Sequence, residues 1–75
     1  MVFDRLRVDH EVMGGVVCVA GTRIPVATVV GMIADGMDET AILGSYPQLD
    51  VEAIRQSLLY AAAALREREL PLLSA

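Results

Sequence analysis

The first third of the chain carries the alternation of apolar and polar positions that is typical of β-strands. Between residues 3 and 8, Leu6 and Val8 fall on one side of an extended chain and Arg7 falls on the other. A β-branched run occupies residues 16–19, after the turn signal Gly14-Gly15. We therefore predict two short strands in this region.

A second turn signal follows the β-branched run, at residues 20–22. Gly21 can supply a positive φ there, which predicts a hairpin between residues 16–19 and the short segment Arg23-Ile24. Pro25 has no N–H to donate to a ladder, so the second strand is an edge strand or ends at that residue.

From residue 26 the apolar period changes to that of a helix. Four apolar residues fall at i, i+3, i+4 and i+7, namely Val26, Val29, Val30 and Ile33. Pro25 suits a first helical turn, and Gly36 stands where a left-handed C-cap residue belongs. These signals predict a first helix over residues 26–35.

Two further helix starts share one pattern. Asp38 and Asp50 are each preceded by an apolar residue and followed by Ile at the fourth helical position, which is the pattern of a capped helix with a hydrophobic staple. We predict a second helix over residues 39–44, ended by the break around Pro47, and a third over residues 51–69, ended before Pro71.

The third helix is apolar on more faces than its neighbours can cover. A heptad-like seam is formed by Val51, Ile54, Leu58, Ala61 and Leu65. A helix that is apolar all round must be covered all round. We therefore expect a homodimer or higher oligomer whose interface contains Leu58, Leu59, Ala62 and Leu65.

Composition supports the same expectation. The chain has 75 residues, 55% of them hydrophobic, and a formal net charge of −4. A core of this size supplies only about 3–5 kcal/mol of net stability. One cysteine cannot form an internal disulfide, and Cys18 with the single histidine His10 falls short of a zinc site. A partner subunit is the remaining source of stability.

Several functions are disfavoured by what the sequence lacks. Its apolar runs are far shorter than the ~20 residues of a bilayer span, and the N-terminus lacks the pattern of a signal peptide. We expect a cytoplasmic protein with no membrane contact and no cofactor. A Cys–His nucleophile pair would need Cys18 and His10, but Cys18 lies among valines and is expected to be a buried hydrophobe. We do not expect an enzyme.

The three helices together predict a DNA-binding arrangement. A short helix, a proline-containing break and a longer helix resemble a helix-turn-helix, in which the first residues of the second arm face the major groove. Arg55 and Gln56 are base-reading types at that position, and Arg23 could extend a basic footprint, although Asp50 and Glu52 would repel phosphates. The predicted fold is mainly α, one domain over residues 1–75, with a short N-terminal β-hairpin (1–25) before a three-helix, helix-turn-helix-like, homodimeric bundle (26–70).

Five segments of the chain, over about residues 5–70, resemble the domain-of-unknown-function family 433 (DUF433). They are Gly14-Gly15, residues 18–26, Gly36-Met37 with Ile42-Leu43, residues 46–49, and residues 54–61. The stretch 20–26 and the Tyr46-Pro47 break are the most specific. The resemblance implies a small bacterial protein with a homeodomain-like helical core behind a short β segment.

The resemblance also implies a function. Several family members are classed as VapB-type antitoxins of type II toxin–antitoxin systems, encoded beside a PIN-like ribonuclease toxin. We therefore expect an antitoxin that binds the toxin directly and represses its own operon through operator DNA. Arg66 and Arg68 are candidates to reach the carboxylate cluster of such a toxin and to compete with its metal. These two residues are not part of a motif of the family. The alternative is a homodimeric interaction module with no role in nucleic-acid binding.

Overall fold

A two-stranded sheet followed by three helices forms the fold of this chain. The computed structural model describes residues 3–11, 15–68 and 70–72. The elements in chain order are β1 (Leu6–Asp9), β2 (Val16–Val19), α1 (Val26–Ala34), α2 (Glu39–Ser45) and α3 (Val51–Glu67). A short β segment followed by three helices was predicted, and the structure confirms this order.

The strand pairing differs from the prediction. β1 and β2 form the antiparallel ladder, with Leu6 opposite Val19. The predicted turn at Gly21 is present, with φ at +77°, but the residues after it add only a single bridge between Cys18 and Pro25. Pro25 cannot donate to a ladder, and the hydroxyl of Thr22 accepts the N–H of Ile24 at 3.0 Å. The chain therefore leaves the sheet where a second hairpin strand was expected.

α1 ends at Ala34, just before Gly36, the residue that was predicted to stop it. Gly36 adopts a φ of +93°, its N–H donates to the carbonyl of Ile33, and the next N–H, of Met37, donates to the carbonyl of Met32, each at 3.0 Å. These two bonds make a Schellman motif, which satisfies carbonyls that a helix end would otherwise leave open. The motif turns the chain directly into the start of α2.

The two predicted aspartate caps are confirmed. The carboxylate of Asp38 accepts the N–H of Ala41 at 2.9 Å, and that of Asp50 accepts the N–H of Ala53 at 2.7 Å. Each cap satisfies one of the N–H groups that a helix start leaves unpaired. α2 ends one residue later than predicted and α3 ends at Glu67, two residues earlier.

The core lies between α1 and α3, with α2 and β2 closing its ends. Its buried members are Val19, Ile24, Val29, Met32, Ile42, Leu49, Ala53 and Ile54. The staple residues Leu49 and Ile54 are thus both in the core, as the pattern before α3 predicted. Within the described residues, none of the helices combines the length and apolar character needed to cross a membrane.

Candidate interaction surface

An uncovered apolar stripe follows one side of α3. Its large members Val51, Leu58 and Leu65 are exposed by 52%, 39% and 58%. Arg55 and Ala62 lie between them and are also exposed. Residues that alternate in steps of four and three share one face of a helix. We call these five residues the α3 stripe.

The stripe corrects the predicted seam at two positions. Ile54 is only 3% exposed and belongs to the core, and Ala61 is half-buried. α1 packs against α3 and covers the side of the helix on which these two residues lie. Of the residues predicted for a subunit interface, Leu58, Ala62 and Leu65 are exposed, and Leu59 is half-buried.

Two shallow apolar grooves flank the stripe. The first, of about 480 Å³, is lined by Ile33, Glu39, Val51, Ile54, Arg55, Leu58 and Leu59. The second, of about 560 Å³, is lined by Val16, Val17, Val26, Ala27, Val30, Gly31, Tyr60, Ala61, Ala64 and Leu65. Three stripe residues, Val51, Arg55 and Leu58, line the first groove, and Leu65 lines the second. Exposed apolar residues grouped in this way are a feature of protein-binding sites.

The N-terminal segment lies along α3 and contacts it from Asp50 to Tyr60. The ring of Phe3 meets the ring of Tyr60 edge to face, with centroids 5.6 Å apart. The backbone N–H of Arg5 donates to the Gln56 side-chain oxygen at 2.8 Å. The side-chain amide of Gln56 donates to Asp4 at 2.6 Å and to Glu52 at 2.9 Å.

This arrangement does not fit the DNA-reading role predicted for Gln56. The residue is only 4% exposed, and both its amide oxygen and its amide nitrogen are hydrogen-bonded within the chain. A base edge could reach it only after those bonds broke and the N-terminal segment moved away. Gln56 therefore holds the fold together in this structure, and any DNA contact falls to other residues.

Asp50 is electrostatically the most perturbed carboxylate near α3. Its bond from the N–H of Ala53, and after it the Arg5 guanidinium, hold the pKa of Asp50 below its ordinary value of 3.8. The Nε of Arg5 lies 3.1 Å from Asp50, and this bond raises the pKa of Arg5. Both groups are therefore charged at neutral pH, and they form an ion pair at the start of α3.

The other two predicted DNA contacts are exposed and paired with acids. Arg55 lies on α3, 2.8 Å from Glu52, and Arg23 lies after β2, 3.4 Å from Glu11. Arg23 also lines an open polar groove of about 610 Å³ together with Arg7, Val8, Asp9, His10, Glu11, Gly21 and Thr22. Acids and bases share this groove, so it lacks the single positive sign that phosphate binding uses.

The end of α3 presents the two arginines predicted to contact a toxin. Arg66 is in the last turn of α3 and Arg68 is its C-cap, and both are exposed. Leu70 and Leu72 follow, 78% and 91% exposed. Charge and apolar surface are thus next to each other at this end of the molecule.

The thiol of Cys18 is inaccessible. The residue is fully buried in β2, as predicted for a small hydrophobe, whereas His10 is exposed. A nucleophilic thiol needs access to its substrate and a neighbouring base. This geometry gives no support to a Cys–His catalytic pair.

Comparison with known proteins places the chain in a family. The family described as "Protein of unknown function (DUF433)" matches residues 6–61, from the first residue of β1 into α3. This chain belongs to the DUF433 family. It is 40% identical over 53 residues to the "Uncharacterized protein y4eO" of Sinorhizobium fredii, a match that covers 71% of the chain and 24% of that relative.

The chain spans about a quarter of the length of the y4eO protein, and no solved structure is a significant match. The family match ends at residue 61. Leu65, Arg66 and Arg68 therefore lie beyond the part of α3 that the family defines.

Proposed function

We propose that this DUF433 protein is a homodimeric antitoxin that acts by binding a PIN-like ribonuclease toxin. The α3 stripe carries the proposal, because it leaves Leu58 and Leu65 in contact with water in a domain with a small core. Exposed apolar residues grouped on one face favour association with another protein surface. The resemblance to DUF433 proteins classed as VapB-type antitoxins supplies the identity of the partner.

The contact to the toxin is proposed for the end of α3. A PIN-like active site is a carboxylate cluster that holds a divalent metal, and a guanidinium can bind a carboxylate with two parallel hydrogen bonds. Arg66 and Arg68 are exposed there beside Leu70 and Leu72. The leucines would supply apolar contact, and an arginine would displace the metal.

Co-expression tests the antitoxin proposal. The chain is expressed with the PIN-like protein encoded beside its gene, and growth and complex formation are measured. We expect rescue of growth and a complex that survives gel filtration, with at least tenfold weaker binding by the double variant Arg66→Ala and Arg68→Ala. Arg7→Ala, which removes an exposed arginine of β1, is the matched control. Growth arrest that persists, with no complex formed, would overturn the proposal.

Operator binding is a second candidate, and the α2–break–α3 arrangement with an exposed Arg55 favours it. Gln56 is not part of this candidate, and Asp50 and Glu52 oppose phosphate approach. A mobility-shift experiment with DNA from upstream of the gene, at low and at physiological salt, tests it. Arg55→Ala should weaken a salt-sensitive shift by about 1–3 kcal/mol if Arg55 contacts a base. Lack of a shift at low salt would leave the alternative of an interaction module without a nucleic-acid role.

A further inference from the structure

The large residues of the α3 stripe are placed symmetrically about Leu58. Val51 precedes it by seven residues and Leu65 follows it by seven, and two turns of an α-helix take about 7.2 residues. A two-fold axis beside Leu58 that runs the helices antiparallel therefore places Val51 of one copy opposite Leu65 of the other. The two Leu58 side chains meet at the centre.

We infer that the α3 stripe binds a second copy of this chain in this antiparallel register. The inference rests on the homodimer of the proposed function and adds which residues meet. All three large exposed residues of α3 are covered by it at once. If the two-fold axis lay away from Leu58, at least one of these three residues would face water or a small residue of the other copy.

The charges of α3 favour the antiparallel direction. Asp50 and Glu52 mark its beginning, and Arg66 lies in its last turn. At about 1.5 Å per residue, an axis at Leu58 brings Arg66 of one copy to the height of Asp50 of the other, and within about 3 Å along the axis of Glu52. In an antiparallel pair, equivalent flanks of the two helices face each other, and Arg66 and Glu52 share a flank of the stripe.

A parallel pair is disfavoured by the same charges. It would place the two Arg55 side chains at one height beside the seam, and the two Arg66 side chains at one height near its end. Like charges that face each other across an interface are repulsive. In the antiparallel register each Arg55 instead lies near Ala62 of the other copy, whose small side chain leaves room for the aliphatic part of the arginine.

The register separates the two arginines that were proposed to contact the toxin. Arg66 lies between the copies, so the toxin contact of the dimer depends chiefly on Arg68. Arg68, the C-cap of α3, lies outside the helical stripe and stays available for a toxin. The carboxylate of Glu52, which receives Arg66 of the other copy, is 41% exposed at the side chain.

Disulfide cross-linking tests the register. Cys18 is fully buried, so the parent chain is the uncross-linked control, and Leu58→Cys, Leu65→Cys and Val51→Cys are oxidised separately and in pairs. A disulfide needs Cα atoms less than about 7 Å apart. We expect L58C to cross-link with itself, and V51C to cross-link with L65C when the two variants are mixed. L65C alone should fail, because its two copies lie about 20 Å apart.

Three results would overturn the inference, and they are distinguishable. Self-cross-linking of L65C as fast as that of L58C would indicate a parallel pair. A parent chain at twice 8.0 kDa by light scattering, with no cross-link among the three cysteine variants, would place the dimer contact elsewhere. A parent that stays at 8.0 kDa at about 100 μM would remove the homodimer itself. Circular dichroism of each variant shows that α3 is still formed.

A charge variant tests the direction independently. Arg66→Glu should raise the dimer dissociation constant about tenfold, because it places an acid next to Glu52 of the other copy. Arg68→Glu is the matched control and should change it less than twofold. Equal effects of the two variants, or no effect of Arg66→Glu, would contradict the antiparallel register.

Discussion

Arg5 and Asp50, which are 45 positions apart in the chain, are joined by an ion pair of 3.1 Å at the start of α3. The other carboxylate oxygen of Asp50 caps the same helix at Ala53. One carboxylate thus begins α3 and attaches the N-terminal segment to it. Removal of this carboxylate should therefore weaken both the start of α3 and the attachment of the N-terminal segment to it.

Substitution of Asp50 separates the two roles. Asp50→Ala should lower the free energy of unfolding by about 1 kcal/mol, the usual cost of a lost N-cap. Asp50→Asn retains an acceptor for the cap and should cost less. Urea denaturation measures both, and equal losses in the two variants would show that the charge, and not the cap, dominates.

Asp50 also predicts a dependence of stability on pH. Its pKa is lower in the folded chain than its ordinary value of 3.8. The stability it contributes is therefore fully present above pH ~4 and is lost as the pH falls through its folded value. Thermal melts between pH 5 and pH 2 should show a smaller acid-induced drop for Asp50→Asn than for the parent. If the melting temperatures of the parent and of Asp50→Asn fell equally with pH, Asp50 would not be the source of this pH dependence.

Gln56 is predicted to matter for stability. Gln56→Ala leaves the half-buried N–H of Arg5 without its acceptor, and loss of such a partner costs about 1–3 kcal/mol. Gln48→Ala, at an exposed position in the turn before α3, is the control and should stay within about 0.5 kcal/mol. Urea unfolding compares them, and a neutral Gln56→Ala would refute the role assigned to this side chain.

Two glycines should respond in opposite directions. Gly36→Ala should destabilise the chain by about 1 kcal/mol, because a Cβ is strained at a φ of +93° even with open space around it. Gly44 lies within α2 and also has open space. Gly44→Ala should therefore stabilise the chain by about 0.5–1 kcal/mol. Melting temperatures that move in the same direction would contradict this explanation.

The burial of Cys18 predicts slow thiol chemistry. A thiol reagent should label the native chain only at the rate at which it opens, and should label the urea-unfolded chain fully and at once. Labelling rates measured across a urea series should follow the unfolding transition. Rapid stoichiometric labelling without urea would show that Cys18 is accessible.

Local signals predicted the helices well because the interactions that begin and end a helix span only a few residues. Asp38, Asp50 and Gly36 each act on neighbours within five positions. Strand pairing is non-local, and nothing near Gly21 indicates that β2 pairs with β1 and not with the residues after the turn. The hairpin predicted around Gly21 is therefore present only as the bridge between Cys18 and Pro25, and the main partner of β2 was not predicted.

The site was predicted only in part for a similar reason. Apolar spacing indicated that α3 has an uncovered face, but which side α1 covers depends on tertiary packing. Gln56 looked like a surface residue because it is polar. Its spacing from Ala53 and Tyr60 places it toward the inner face, and this was the signal available in the sequence.

The contact between Phe3 and Tyr60 links the first described residue to the second half of α3. A partner that shifts α3 would therefore also displace the N-terminal segment. Release of that segment would expose the side-chain amide of Gln56 to water. Hydrogen exchange at the backbone N–H of Arg5, which donates to the Gln56 side chain, would then report how firmly the N-terminal segment is held.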